Sequence, residues 1–306
     1  MTHSIHVYAR TRTVAHAAIA IAATLVLGTN PQGANAQTPS ATVYAVTAGN
    51  RLVIFNSNDP CTIAWGSPIS GMQPREQVLG IDFRPANNKL YALGSSSRLY
   101  VIDPTTAKAS MVGTQPLTVT LAGTAFGFDF NPVVDRIRVV SNSGQNLRLH
   151  PDTGAVAATD KPLNYTNAPQ VKALAVGAAY TNPDTDPATG TALYDIDAAF
   201  DLVALQAPPN DGMLSIVGEM RVGVTGLTGF DISKANIAYA AVLRDGLGTD
   251  ADLDLDARVS GDVGNPAAPG CGTSRLVTVD LKTGVATDRG TIGTLSPIRA
   301  LAVQLQ

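Results

Sequence analysis

Histidine, glutamate and cysteine are scarce in this 306-residue chain, which holds four His, two Cys and 24 acidic residues, of which only Glu76 and Glu219 are glutamates. His3, His6 and His16 lie at the extreme N-terminus, which leaves His150 alone in the rest of the sequence. A His-built zinc centre is thereby excluded, and a Ser/His/Asp triad would have to use His150. The 21 basic residues are scattered rather than clustered, so no phosphate-neutralising surface is present and nucleic acid is not an expected partner. Long apolar runs are missing too: the run from Val14 to Leu27 falls short of the roughly 20 residues that span a bilayer.

That run follows Arg10 and Arg12 and precedes the small-residue tripeptide Ala34-Asn35-Ala36. This is the layout of a secretory signal peptide, residues 1–36, cut after Ala36. The alternative, a transmembrane anchor, needs a longer run. The expectation is export to the periplasm or beyond, with no membrane span after cleavage, residues 37–41 as a short leader and 42–306 as one domain. Cleavage leaves 19 basic against 24 acidic residues, a mildly acidic protein.

What the sequence does have is a repeat. "VLGIDFRPANNKLYALGSSSRLYVIDPTTAKASMVGT" from Val78 and "AFGFDFNPVVDRIRVVSNSGQNLRLHPDTGAVAAT" from Ala125 align with only short gaps. Looser copies begin near Lys172 and Leu227. A period of roughly 45 to 70 residues holding four short strands is the signature of propeller blades. Thr42 to Ile69 supplies the second, third and fourth strands of a blade whose innermost strand is the terminal "IRALAVQLQ". The fold expected is therefore all-β: a single β-propeller of five four-stranded blades, its ring closed by the C-terminal strand joining the N-terminal blade.

The innermost strands are read as Leu79–Phe83, Gly127–Phe130, Ala173–Val176, Gly229–Ile232 and Ala300–Val303. The third strands are read as starting at Leu52, Leu99, Leu147, Leu193 and Leu276, each ending in Asp, Asn or His before a turn. Side chains of this kind bond the backbone N–H groups that follow, so His150, in the slot of Asp103, Asp197 and Asp280, reads as a turn cap rather than a catalyst.

The stretches "LGIDFRPANNKLYALG", "FGFDFNPVVDRIRVVSNSGQNLRLHPDTGA", "AAYTN", "PPNDGMLSIVG" and "GFDI" resemble the bacterial exported family catalogued as domain of unknown function 4394, over essentially residues 42–305. The resemblance implies a secreted or periplasmic propeller-like protein with no established activity, so it carries no catalytic residue across.

Candidate sites come from the residues themselves. Asp129, Asn142, Gln145, Asn146 and Arg148, with Arg136 and Arg138 nearby, form a polar set able to meet a ligand. Asp82, Asp129 and Asp231 share one repeat position, held by Ala175 and Ala302 in the other blades; such symmetry favours bonds to a neighbouring blade over catalysis. Asp250, Asp252, Asp254 and Asp256 have a spacing able to wrap calcium, the only cofactor considered, although the Gly and Glu of an EF-hand loop are absent. A solvated acidic loop or an edge strand accounts for the same run. Cys61 and Cys271 are allowed a disulfide by the exported compartment, but meander topology starts their strands from opposite faces, and the sequence leaves the pairing open.

The reading that results is a secreted binding scaffold whose partner is a small molecule, a glycan or a protein. Its binding face carries the loops joining second to third strands, including 183–190 and 244–274. The rival is a hydrolase of glycosidase type with a carboxylate pocket at the central channel, which needs two opposed carboxylates, one with a raised pKa.

Overall fold

The computed structural model describes residues 39–243 and 271–305. The signal segment 1–36 and the Asp250–Asp256 run lie outside the described residues.

Alternating apolar residues and frequent turn residues yield short strands throughout. They are β1 (Thr42–Thr47), β2 (Arg51–Asn56), β3 (Asp59–Pro68), β4 (Val78–Phe83), β5 (Leu90–Gly94), β6 (Arg98–Asp103) and β7 (Lys108–Val112). Next come β8 (Phe126–Asn131), β9 (Arg136–Ser141), β10 (Asn146–Leu149), β11 (Val156–Thr159) and the two-residue β12 (Asn164–Tyr165). The chain continues through β13 (Ala175–Tyr180), β14 (Leu193–Asp197), β15 (Leu202–Gln206) and β16 (Met213–Glu219). It ends with β17 (Gly229–Ile232), β18 (Ala238–Leu243), β19 (Ser274–Val279), β20 (Ala286–Ile292) and β21 (Ile298–Val303).

These make five sheets, the blades of a propeller. Blade 1 is β21-β1-β2-β3, blade 2 β4 to β7, blade 3 β8 to β11, blade 4 β13 to β16 with β12 added at its outer edge, and blade 5 β17 to β20. The innermost strands β4, β8, β13, β17 and β21 contact one another in that cyclic order, and β21 contacts β4. The C-terminal strand pairs antiparallel with β1, Val43 opposite Val303 and Ala45 opposite Leu301, so the two chain ends close the ring.

Blades pack through apolar side chains. Tyr44 of blade 1 meets Phe83 of blade 2 edge to face at 5.0 Å, and Tyr91 of blade 2 meets Phe130 of blade 3 at 5.1 Å. At the axis the backbones crowd. A Cβ on Gly127 would lie 2.5 Å from the Ala178 nitrogen, and one on Gly229 2.7 Å from that of Leu301, so these positions require glycine.

The outer rim follows one rule around the ring: the end of each fourth strand lies on the turn before the fourth strand of the next blade. Ser70 exchanges backbone bonds with Ala107 and Ala109, Lys161 donates to Asn210, Ala286 donates to Met220 and Gly293 donates to Pro60. Between blades 2 and 3, Gly154 sits against the Val112 carbonyl. Sheet twist produces this, because it turns the outermost strand away from the direction of the innermost one. It also brings Cys61 and Cys271 together as a disulfide, with alpha-carbons 5.7 Å apart. Cys61 lies near the start of β3, within the strand rather than before it, and Cys271 lies beside the end of β20, where Thr273 donates to Thr294. Opposite faces would separate the two cysteines only if the strands were untwisted.

Blade 4 departs from the sequence reading. Its innermost strand is Ala175–Tyr180, not Ala173–Val176. Leu193–Asp197 is its second strand rather than its third, which is Leu202–Gln206. Residues 183–190 therefore join first to second strands, on the face opposite to the one where β18 ends and β19 begins. Both misreadings have one cause: "LYDID" has the apolar-to-Asp pattern of a third strand, whereas the register marker is Gly177, equivalent to Gly80, Gly127 and Gly229. Asp197 therefore caps the turn after a second strand, accepting from the Ala199 N–H at 2.7 Å, and with its other oxygen accepts from the Tyr165 hydroxyl and the Leu174 N–H. In the slot proper, Asp103 accepts from Thr105 N–H, Asp280 from Lys282 N–H and the His150 Nδ1 from Asp152 N–H. No helix among the described residues is long and apolar enough to cross a membrane.

Candidate functional site

An innermost strand has a neighbour on one side only, so every second N–H and C=O along it faces the axis. At one level of the channel those N–H groups belong to Phe83, Phe130, Tyr180, Ile232 and Val303. All five are taken by Asp82, Asp129 and Asp231. Asp82 accepts from Phe83 at 2.6 Å and Phe130 at 2.8 Å. Asp231 accepts from Ile232 at 2.6 Å and Val303 at 2.5 Å. Asp129 accepts from Tyr180 at 3.0 Å.

One oxygen from each of the three carboxyls lies within 4.8 Å of the other two. The blades without the Asp carry Ala179 and Ala302 there, two residues past Gly177 and Ala300; Ala175, read from the sequence as the equivalent, lies four residues too early. Three carboxyls provide six oxygens for five N–H donors. The sixth belongs to Asp129, whose carboxyl crowds against those of Asp82 and Asp231, an arrangement that favours keeping a proton on the set.

Burial pushes all three carboxyl pKa values up. For Asp82 the Asp231 charge adds to the rise, and for Asp129 the charges of both neighbours add. Asp231 is raised to about 7 by burial, with the Val303 and Ile232 N–H groups pulling the other way. These groups titrate as one set.

Between blades 3 and 4 lies a second buried polar cluster. Arg138, 2% exposed, donates to Tyr180 Oη, Asn146 Oδ1, Asp160 Oδ2 and Asn210 Oδ1. Arg148 makes a bidentate pair with the same Asp160 at 2.8 and 2.9 Å, which holds its guanidinium above its ordinary pKa. Asn146 also donates to the Lys161 and Pro209 carbonyls. Opposite stands Asp195, with neither carboxyl oxygen hydrogen-bonded, and diagonally across the sheet Gln206, whose Oε1 is likewise unpartnered. Burial pushes Asp195 up to about 8, against the pull of the Arg138 charge.

The polar set read from the sequence is thus dispersed. Asn142 and Gln145 brace the connection into β8, through the Thr124, Ala125 and Ala122 N–H groups and the Thr120 carbonyl. Asn146 and Arg148 hold the interface of blades 3 and 4, and Asp129 stands at the axis. Sequence reading missed Asp160, Asp195 and Gln206, since no motif surrounds them. Glu76 is buried and accepts from Ser96 N–H and Oγ, Gln73 N–H and the Tyr100 hydroxyl. Glu219 lies exposed beside Arg221.

These pKa directions fix a pH dependence. Unfolded Asp ionises near pH 4, while the folded carboxyls keep their protons to higher pH. Stability therefore falls as pH rises from about 4 through 7 for Asp231 and through 8 for Asp195, with Asp82 and Asp129 acting in the same direction. The lowered pKa of Asp152 beside Arg84 acts only below about pH 4. Melting followed from pH 9 to pH 5 should rise. Asp195→Asn should melt above the parent at pH 9, where charging the buried carboxyl costs on the order of 5 kcal/mol for a shift of about four pKa units. The gap should close towards pH 4; a variant that melts at or below the parent at pH 9 would show that Asp195 is stabilised in its charged form.

The model of a family described as "Domain of unknown function (DUF4394)" matches residues 51–265. No curated protein matches. Among solved structures, the chain is similar to one in a nidogen/laminin complex, at 11% identity over 87% of this chain and 99% of that one, TM-score 0.45. It is also similar to a Bacteroides thetaiotaomicron protein of unknown function, at 12% identity over 82% and 58%, TM-score 0.42. An auxiliary nutrient binding protein from the same organism is 14% identical over 64% and 55%, TM-score 0.36. Likenesses this distant bear on neither ligand nor activity.

Proposed function

Because the chain belongs to the DUF4394 family, whose description names no activity, we propose from the geometry of the site alone that the protein is an exported, non-enzymatic propeller that binds a small molecule, a glycan or a protein. The observation that carries this reading is the commitment of the carboxylates. Five of the six axial Asp oxygens receive backbone N–H groups, and both Glu76 oxygens are occupied. A glycosidase needs an acid and a base free to reach substrate on either side of a scissile bond. The candidates here are spent on structure: the aspartates on axial N–H groups, and Glu76 on Gln73, Ser96 and Tyr100 of blade 2 and its lead-in. Asn142 and Gln145 serve binding by holding a loop of the channel-mouth face in shape.

The reading is tested by a thermal-shift screen of the exported protein against glycans and small metabolites, since a ligand that binds only the folded state raises its stability. A saturable rise without turnover supports it. Hydrolysis of a chromogenic glycoside, lost in a folded Asp129→Asn variant, would establish the hydrolase instead.

A further inference from the structure

At the mouth of the central channel, on the face where the innermost strands begin, one charged side chain stands among the described residues. Leu79, Phe126, Thr228 and Arg299 line this narrow recess together with the axial glycines; its volume of about 10 Å³ admits only a water-sized group, so a larger ligand meets Arg299 at the open rim. Arg299 is placed there by a β-bulge. In the pairing of β21 with β1, Ala300 stands opposite Val46 and Ile298 opposite Thr47, which leaves Arg299 with no partner. Bulges re-aim the side chain they carry. Blades 2 and 4 have the same irregularity at Leu79 and Val176, and only blade 1 fills it with a cation.

Among the described residues, the guanidinium of Arg299 has one hydrogen-bond acceptor, the Val78 carbonyl at 3.4 Å, and no carboxylate within ion-pair distance. Burial pulls its pKa down, the signature of a cation that has lost water without gaining a counter-ion. A guanidinium carries five N–H donors; a half-buried one with a single long bond has a fork to offer. The walls beneath it are polar as well. The N–H groups of Phe130, Tyr180 and Val303 face the axis further in, where the aspartates take them, and by the two-residue period of a strand those of Phe128, Ala178 and Leu301 face it nearer the mouth.

We propose that the channel mouth is an anion-binding site in which Arg299 receives a carboxylate or similar small oxyanion group of the ligand through its N–H fork. This rests on the binding-scaffold reading and specifies the ligand as an anionic one. Bidentate guanidinium–carboxylate pairs are among the stronger polar contacts, and here the bulge holds the cation in place before the ligand arrives. Thr228 stands on the neighbouring blade 5, but its hydroxyl already donates to the Thr225 carbonyl, which leaves Arg299 as the determinant.

The test titrates acetate and inorganic phosphate against chloride at equal ionic strength, read by calorimetry and melting temperature. A saturable response to one or both is expected from the parent, weaker by about tenfold in Arg299→Lys, which keeps the charge and loses the fork, and absent in Arg299→Gln. The proposal is overturned by a parent that shows no saturable response, or by Arg299→Lys or Arg299→Gln responding like the parent. Should Arg299→Gln fail to fold, the parent and the lysine variant decide. If anions do not bind while a neutral ligand from the screen does, this inference fails and the scaffold reading stands.

Discussion

Deletion of Ile298 to Gln306 yields insoluble or grossly destabilised protein, whereas deletion of residues 37–40 changes the melting temperature little. The truncation removes β21, the only strand that closes the ring. Ile298, Leu301 and Val303 are 2% exposed or less, and each is worth about 1.5–3 kcal/mol of burial. Their loss alone takes a large part of the roughly 5–15 kcal/mol that stabilises a typical native protein. It also strips β1 of its partner, leaving an unpaired edge open to aggregation, and takes from Asp231 the Val303 N–H it accepts. Solubility and melting of the truncated protein measure this. Melting within a few degrees of the parent would mean that closure contributes little.

The second large effect is expected on replacing Cys61 and Cys271 together with serine. The bond joins residues 210 apart in sequence. Closing a loop of that length restricts the unfolded chain by about 5 kcal/mol in the chain-entropy model. Measured values for native disulfides of 2–5 kcal/mol correspond to roughly 5–15 °C in a domain of this size. The bond ties blade 5 to blade 1, the blade in which the two ends of the chain meet. Comparing the parent melted with and without reductant against the double variant gives the answer. A variant that matches the oxidised parent would show that the bond does not contribute to stability.

The blade count, the ring closure and the structural role of the axial aspartates were all legible from the repeat, because a symmetric fold writes the same residues at the same place several times. "G-x-D-F" marks an innermost strand since glycine is needed where backbones crowd and Asp where N–H groups face inward. Blade 4 resisted reading because it has lost that mark: Gly177 is followed by Ala178 and Ala179, and without the Asp the register slips to a nearby apolar run. The cluster of Arg138, Asp160 and Asp195 was illegible for a different reason. Its members come from β9, the segment after β11, and β14, and only the docking of two blades brings them together. Arg299 looked like one more polar residue in a short strand, since a bulge depends on the pairing of two strands and leaves no trace in either alone.

The bookkeeping of five donors and three carboxyls also divides the ring. Asp82 links blade 2 to blade 3 and Asp129 links blade 3 to blade 4, while Asp231 links blade 5 to blade 1. Phe83 and Ile232 are served from within their own blades, so no axial bond crosses from blade 1 to blade 2 or from blade 4 to blade 5. The propeller is thus an arc of three blades and an arc of two. Across the axis the arcs meet where the Asp129 and Asp231 carboxyls crowd together and favour the protonated form. Alkali that charges them turns that meeting into a repulsion, and the seams of blades 1–2 and 4–5 are then left to their rim bonds, Ser70 with Ala107 and Ala109 and Ala286 with Met220.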